Sequence, residues 1–116
     1  MAKILIVEDS NEITEMLNIL LQLHGHEIQS AFSKETAHHK MLTFPPELII
    51  IDVLIGKYNG KELCLEIRAV NKTVPIILMS ANPSLLTDYE ECEANDMLEK
   101  PFNIDTLISK INNLIK

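Results

Sequence analysis

The chain has 116 residues, of which 47% are hydrophobic, and this composition predicts one self-sufficient domain over residues 1–116 rather than a disordered or disulfide-dependent chain. The formal net charge at pH 7 is −7, and because the acidic residues are spread along the chain, we expect no direct contact with nucleic acid. Apolar runs such as residues 4–7 are too short for a signal peptide or for the ~20 residues that span a bilayer, so we expect a soluble cytoplasmic protein without a membrane segment.

The first half of the chain predicts two units, each of one strand followed by one helix. Residues 4–7 form a continuous apolar run, as in a strand buried on both faces, and apolar residues then recur at helical spacing until Gly25. Residues 27–31 predict a weaker second strand. Ser33 has the side chain of a helix N-cap, and the second helix runs from there to about Thr43, where two prolines follow.

The second half of the chain predicts three further strand–helix units. In chain order these strands and helices cover residues 48–51 and 60–70, 75–79 and 84–94, and 97–99 and 104–115. The complete (βα)5 series predicts an α/β fold with a doubly wound parallel five-stranded sheet. For its strand order we take the flavodoxin-like 2-1-3-4-5, which is one of the common orders of such sheets. Whether Leu85, Leu86 and Tyr89 on the predicted fourth helix face a partner or the core stays open at this point.

Polar residues that can carry chemistry follow four of the predicted strands. They are Glu8 and Asp9 after the first strand, Asp52 after the third, Ser80 after the fourth and Lys100 after the fifth. The carboxyl ends of parallel strands lie at one edge of a sheet, and ligands bind there at the point where the strand order reverses. We therefore expect these five residues to converge on one crevice.

The acids in this crevice predict a cation site. Three neighbouring carboxylates repel one another and raise their own pKa values unless a cation joins them. Oxygen ligands without His or Cys suit Mg²⁺. A phosphoryl group on Asp52 would add negative charge, which the hydroxyl of Ser80 and the ammonium of Lys100 are able to receive.

Four short motifs together resemble the receiver domains of bacterial two-component systems, and the resemblance covers essentially the whole chain. The motifs are Glu8-Asp9, Asp52 followed by Gly60, Ser80-Ala81, and Lys100-Pro101-Phe102. The resemblance implies a phosphorylation-dependent switch that takes a phosphoryl group from a sensor histidine kinase or phosphotransfer protein and regulates a downstream effector domain or protein. Such a domain is not an enzyme in the usual sense, but it catalyses its own phosphorylation and autodephosphorylation.

The resemblance also assigns roles to individual residues. It implies that Asp52 is the phosphoacceptor, that Asp9, Asp52 and the backbone carbonyl of Leu54 hold Mg²⁺, and that Glu8 acts mostly through water. Further implied roles are contacts of Ser80 and Lys100 with the phosphoryl oxygens, a cis peptide bond before Pro101, and tuning of hydrolysis by the side chains of Leu54 and Asn82.

Two positions depart from the pattern of these domains. Met97 stands where members usually carry an aromatic switch residue, so coupling to the face formed by helix 4, strand 5 and helix 5 is expected to be weaker or differently built. Gly56 replaces a common proline after the acceptor, which predicts a more mobile loop. A homodimer through the helix 4–strand 5–helix 5 face, and whether the chain acts alone or within a longer regulator, are left open.

Two other functions would use similar residues. A phosphohydrolase of the haloacid dehalogenase type needs a second aspartate two residues after the nucleophile, and this chain has Leu54 there. A receiver-like binding module that has lost phosphorylation would lack one of the acids or the lysine, and here all are present. The sequence therefore favours the switch over both.

The histidines and cysteines have simpler interpretations. His38 and His39 are adjacent, point to different sides of a helix, and are expected on the solvated surface. Cys64 and Cys92 lack the spacing of a zinc site, and Cys64 is expected to pack in the core. Two widely spaced cysteines do not form a dense disulfide framework, and this is typical of a protein from a reducing compartment.

Overall fold

The computed structural model describes residues 2–115 and contains a parallel sheet flanked by helices. In chain order the elements are β1 Lys3–Val7, α1 Asn11–Leu23, β2 Glu27–Ala31, α2 Lys34–Thr43, β3 Leu48–Asp52, β4 Leu54–Ile55, β5 Tyr58–Asn59, α3 Gly60–Val70, β6 Ile76–Ser80, a 3-10 helix Pro83–Leu85, β7 Asp96–Glu99 and α4 Ile104–Leu114. No helix among the described residues has the length and apolar character needed to cross a membrane.

The order of the five parallel strands is β2-β1-β3-β6-β7, while β4 and β5 form a separate antiparallel hairpin. With this hairpin set aside, the order is the predicted 2-1-3-4-5, and the flavodoxin-like fold is confirmed. Because the order reverses beside β1, the carboxyl ends of β1 and β3 border a crevice.

The core lies on both faces of the sheet because successive side chains of each buried strand point to opposite sides. On one face Leu5 and Ile49 belong to a cluster with residues of α2 and α3, and on the other Ile4 and Ile50 belong to a cluster with residues of α1 and α4. All five residues of β3 are buried. This two-sided burial explains why the strands read as continuous apolar runs.

Side-chain caps fix where the helices begin. The hydroxyl of Ser10 accepts a hydrogen bond from the amide of Ile13 at the start of α1, and Ser33, the predicted cap of α2, accepts one from Thr36. Such caps satisfy amides that lack a partner within the helix, and each contributes about 1 kcal/mol. Capping directly after a strand keeps the loops around the crevice short.

The predicted fourth helix over residues 84–94 is wrong, because the structure has only the 3-10 turn Pro83–Leu85 and a series of turns after it. Glu93 adopts φ +62°, a left-handed conformation that a helix interior cannot contain. Acidic residues also crowd this segment, and like charges at helical spacing destabilise a helix. These acids are Asp88, Glu90, Glu91 and Glu93.

The apolar residues of this segment pack without forming a helix, and they resolve the alternative left open by the sequence. Leu86 is buried, and Leu85 and Tyr89 are partly buried against the core cluster on the α3 side. These residues therefore belong mainly to the core. Cys64 is also buried there, as predicted, and its thiol donates a hydrogen bond to the carbonyl of Cys92 over 3.1 Å.

Candidate functional site

The polar residues predicted to converge do border one crevice, with a volume of about 440 Å³, at the carboxyl edge of the sheet. Its lining residues are Glu8, Asp9, Ser10, Ile13, Asp52, Leu54, Ser80, Ala81, Asn82 and Lys100. Apart from Ile13, which lies in the first turn of α1, each comes from the end of a strand or from the segment that follows it. The parallel topology thus brings together side chains that are far apart in sequence.

The carboxylate of Asp52 is held from two sides. Its Oδ2 accepts a hydrogen bond from the ammonium of Lys100 at 2.7 Å, and its Oδ1 accepts one from the backbone amide of Leu54 at 3.1 Å. Asp52 is buried, with only 5% of its surface exposed. Hydrogen bonds between ionised groups are short and strong, so this pair fixes the orientation of the carboxylate.

Glu8 is a second buried acid in the crevice, and one of its oxygens is left without a partner. Oε1 accepts a hydrogen bond from the amide of Ser10, but Oε2 has no hydrogen-bond partner and lies 3.6 Å from the ammonium of Lys100. Burial of the carboxyl group, followed by its interaction with the neighbouring Asp52 carboxylate, raises the pKa of Glu8 to about 8. Without a cation, Glu8 is therefore largely protonated at neutral pH.

Asp9 is exposed and bonds to the hairpin rather than to the other acids. Its Oδ2 accepts a hydrogen bond from the backbone amide of Gly56 at 2.7 Å. In this arrangement no three acidic, histidine or cysteine side chains of residues 2–115 are grouped as a ready-made metal site. The expectation of three carboxylates gathered around one point is thus met only in part.

The donor atoms of the crevice nevertheless fit a hard divalent cation. They are carboxylate and carbonyl oxygens, which Mg²⁺ prefers. The unpartnered Oε2 of Glu8 is buried beside the Asp52 carboxylate, and positive charge nearby would offset the burial and the negative charge of Asp52 that together raise the pKa of Glu8. The residues that could hold the cation are those named from the sequence, with Asp9 the most exposed of the acids.

The remaining predicted residues lie around the acids, except for Met97. The hydroxyl of buried Ser80 accepts a hydrogen bond from the amide of Asn82 at 3.0 Å, and the Asn82 side chain caps the 3-10 helix by accepting from Ser84. The peptide bond between Lys100 and Pro101 is cis. Met97 lies outside the crevice, partly buried on β7 against the α3 side of the core.

The hairpin of residues 54–59 is a part of the site that sequence reasoning missed. It connects β3 to α3, and it supplies both the Leu54 amide on Asp52 and the Gly56 amide on Asp9. A signal was present, because glycine at the first position of a two-residue turn between strand-forming residues is typical of a hairpin. Gly56 has φ +56°, which a glycine adopts without strain.

His38 and His39 lie away from the crevice, on α2. His38 bonds through Nε2 to the carboxylate of Glu66 on α3 at 2.7 Å, while His39 is exposed. Their side chains therefore do not act together, in keeping with the surface interpretation.

Comparison with known proteins gives a consistent pattern over almost the whole sequence. The family model of the response regulator receiver domain matches residues 4–112. The transcriptional regulatory protein CpxR homolog of Haemophilus influenzae is 36% identical over 118 aligned positions, covering 100% of this chain and 51% of that protein. The transcriptional regulatory protein KdpE of Staphylococcus aureus is 35% identical, covering 95% of this chain and 48% of that protein. The chain thus spans about half the length of these curated relatives.

Solved structures share both the fold and part of the sequence. The response regulator protein TrrA of Thermotoga maritima, in complex with Mg²⁺-BeF, matches with a TM-score of 0.91 and 34% identity, covering 98% of this chain and 99% of that chain. The receiver domain of the Francisella response regulator 1452 matches with a TM-score of 0.90 and 26% identity, covering 99% of this chain and 97% of that chain. The likeness therefore includes the strands that carry the crevice.

Proposed function

The chain belongs to the family of response regulator receiver domains, and on that premise we propose that it is a signalling switch phosphorylated on Asp52 by a sensor histidine kinase or phosphotransfer protein. The observation that carries the proposal is the buried Asp52 carboxylate, held between the ammonium of Lys100 and the amide of Leu54 in an acidic crevice. A nucleophile fixed in this way is oriented for transfer before the donor arrives.

In the proposed transfer, an oxygen of the Asp52 carboxylate forms a bond to phosphorus while the bond between phosphorus and the donor's imidazole nitrogen breaks, and the electron pair of that bond stays on the imidazole. Lys100 is the donor placed to stabilise charge on the moving group, because its ammonium already lies 2.7 Å from Asp52. Ser80 adds a buried hydroxyl that can donate to a phosphoryl oxygen.

The proposal includes a Mg²⁺ ion held by Asp9, Asp52 and the carbonyl of Leu54, with Glu8 acting through water. When bound, the ion would supply positive charge to offset the phosphoryl oxygens. The unpartnered oxygen of Glu8 supports a cation at this place, and the similar TrrA protein was solved in complex with Mg²⁺-BeF. Lys100 alone carries too little positive charge to balance the acids and a phosphoryl group.

Reset would occur by hydrolysis of the acyl phosphate, so the domain would catalyse its own phosphorylation and dephosphorylation. The side chains that would flank the phosphoryl group are those of Leu54 and Asn82, both of which line the crevice. The side chain of Leu54 offers no hydrogen bond to an attacking water. The oxygen of Asn82 is engaged with Ser84, which leaves its amide nitrogen to orient one.

An apolar groove next to the crevice suits the approach of the phosphodonor. It has a volume of about 370 Å³ and is lined by Ile13, Met16, Ala81, Lys100, Pro101 and Phe102. Exposed apolar patches mark protein contacts. Because Lys100 borders both the groove and the crevice, a kinase docked here would bring its phosphohistidine to Asp52. Because such a phosphoryl transfer takes place in the cytoplasm, we propose that the domain is cytoplasmic.

The output is proposed to be a downstream effector domain or protein. The relatives that this chain matches over about half their length are named transcriptional regulatory proteins. An effector of that kind would contact DNA itself, whereas this acidic domain would not. The surface expected to change includes the predicted helix over residues 84–94, which does not form here. A homodimer would therefore use only β7 and α4 of that face.

Incubation with acetyl phosphate and Mg²⁺, followed by intact mass spectrometry, tests the proposal. We expect one labile phosphoryl adduct in the wild type and none in Asp52→Asn. Rapid turnover of diverse phosphomonoesters would favour a hydrolase, and an unmodified wild-type chain would overturn the proposal.

A further inference from the structure

The hairpin of residues 54–59 contacts the most exposed acid of the crevice through its turn. The backbone amide of Gly56 donates a hydrogen bond to Oδ2 of Asp9 at 2.7 Å, and no side chain of the hairpin contributes to this bond. The amide can point there because Gly56 adopts φ +56°. Asp9 would otherwise be a surface carboxylate free to rotate among several rotamers.

The other strand of the hairpin is anchored on α2. The hydroxyl of Tyr58 donates a hydrogen bond to Oε1 of Glu35 at 3.2 Å, and the ammonium of Lys34 lies 5.3 Å from the centre of the Tyr58 ring. Lys34 in turn forms an ion pair of 2.7 Å with Glu66 on α3. The position of the turn thus depends on a ring that α2 holds in place, through a lysine that is itself paired with α3.

A carboxylate that binds a metal is usually oriented by a hydrogen bond from a neighbouring group, and loss of that bond weakens metal binding. Gly56 is in the right place to be this group for Asp9, and one oxygen of the carboxylate, Oδ1, is not used in the contact. An oriented ligand loses less conformational freedom when the cation binds.

We propose that the hairpin of residues 54–59 positions Asp9 for the cation, so that the affinity for Mg²⁺ depends on the anchoring of Tyr58 to α2. Gly56 and Tyr58 act as positioning residues, since neither has a side chain that contacts the acids of the crevice. The inference rests on the proposed function, because it takes Asp9 as a ligand of Mg²⁺.

Calorimetric titration of the full chain with MgCl₂ measures this dependence. We expect Tyr58→Ala to raise the Kd for Mg²⁺ about tenfold, and Tyr58→Phe, which keeps the ring but removes the bond to Glu35, to raise it by a smaller factor. Tyr89→Phe is the matched control, because it removes a phenol hydroxyl from a residue after the 3-10 helix that does not line the crevice, and its Kd should equal that of the wild type. If Tyr58→Ala does not fold, Tyr58→Phe decides.

A second readout follows the contact itself. The chain has three glycines, whose amides can be resolved by ¹H–¹⁵N NMR. On addition of Mg²⁺ the Gly56 resonance should shift, while that of Gly25, at the opposite end of the sheet, should stay in place. A wild-type Kd in both Tyr58 variants, a tighter Kd, or an unresponsive Gly56 amide would overturn the inference. A wild type that binds no Mg²⁺ would instead remove the proposed function on which it rests.

Discussion

The ammonium of Lys100 and the carboxylate of Asp52 form a hydrogen-bonded ion pair of 2.7 Å that joins the end of β7 to the end of β3 across β6. Because Lys100 is the cation nearest to the acceptor, Lys100→Met should slow phosphorylation by acetyl phosphate about a hundredfold. Rates are measured by intact mass at a fixed concentration of Mg²⁺. Lys110→Met, which breaks the pair with Asp96 elsewhere, is the control and should react at the wild-type rate. Equal rates for both variants would contradict the role of Lys100.

Glu8 should make the stability of the cation-free protein depend on pH. Its pKa rises from 4.5 to about 8 on folding, so between these values the folded chain holds a proton that the unfolded chain releases. Stability then falls as pH rises from about 4.5 to 8, by at most about 1.4 kcal/mol per pH unit. Urea unfolding between pH 5 and 8 without divalent cations measures this slope.

The matched variants for Glu8 are chosen to isolate its contribution. Glu8→Gln should remove the contribution of Glu8 to the slope of unfolding free energy against pH. Glu12→Gln, at an exposed position of α1, should leave the wild-type slope unchanged. Saturating Mg²⁺ should also flatten the wild-type curve, because the ion favours the ionised carboxylate. The same slope in wild type and Glu8→Gln would show that Glu8 is not the titrating group.

Arg68 should be a major source of stability although it lies away from the crevice. It is buried, and its guanidinium donates to the carbonyl of Glu93 and the side-chain oxygen of Asn95, at 2.8 and 2.6 Å, and to the carbonyl of Val74. Arg68→Met removes these bonds and leaves the buried carbonyl of Val74 without its donor, and it should cost about 3 kcal/mol. Arg68→Lys should cost nearly as much, because one ammonium cannot reach all three oxygens.

Urea unfolding of both Arg68 variants measures this loss, and Lys72→Met, at an exposed position, is the control. An Arg68→Lys protein as stable as the wild type would show that the three bonds are not needed together.

Gly60 should not tolerate a side chain. A Cβ atom there would overlap the backbone oxygen of Asp52 and lie 2.9 Å from Cγ2 of Ile51. Alanine normally favours a helix over glycine by about 1 kcal/mol, yet Gly60→Ala should destabilise the chain by about 2 kcal/mol through overpacking. It should also slow phosphorylation, because the clash displaces Asp52. Glu62→Ala, in the same turn of α3, should leave both stability and rate nearly unchanged, and a neutral Gly60→Ala would contradict the packing.

The convergence of the crevice residues could be predicted because each buried parallel strand is a continuous apolar run and a polar residue marks where it ends. For this reason the positions of Asp52 at the end of the third strand and of Lys100 after the short fifth strand could both be predicted. The alternation of strands and helices predicts the parallel sheet, whereas the strand order was taken from a common pattern of such sheets. What the pattern predicts well is therefore the position of each strand end.

Local details depend on contacts that periodicity does not reveal. Leu85, Leu86 and Tyr89 have helical spacing, but they pack from successive turns, since Glu93 takes a left-handed conformation and nearby acids repel one another. The partner of Asp9 was also unpredictable, because it is a backbone amide of the hairpin rather than a side chain. Tertiary contacts decided both outcomes.

Chemical mapping of the phosphorylated residue tests the central claim most directly. The chain is treated with acetyl phosphate and Mg²⁺, reduced with borohydride, which converts an aspartyl phosphate to homoserine, and digested for peptide mass spectrometry. Homoserine at position 52, and at no other acid of the crevice, is the predicted result. Modification at Asp9 or Glu8 with Asp52 intact, or no homoserine at any position, would contradict the account.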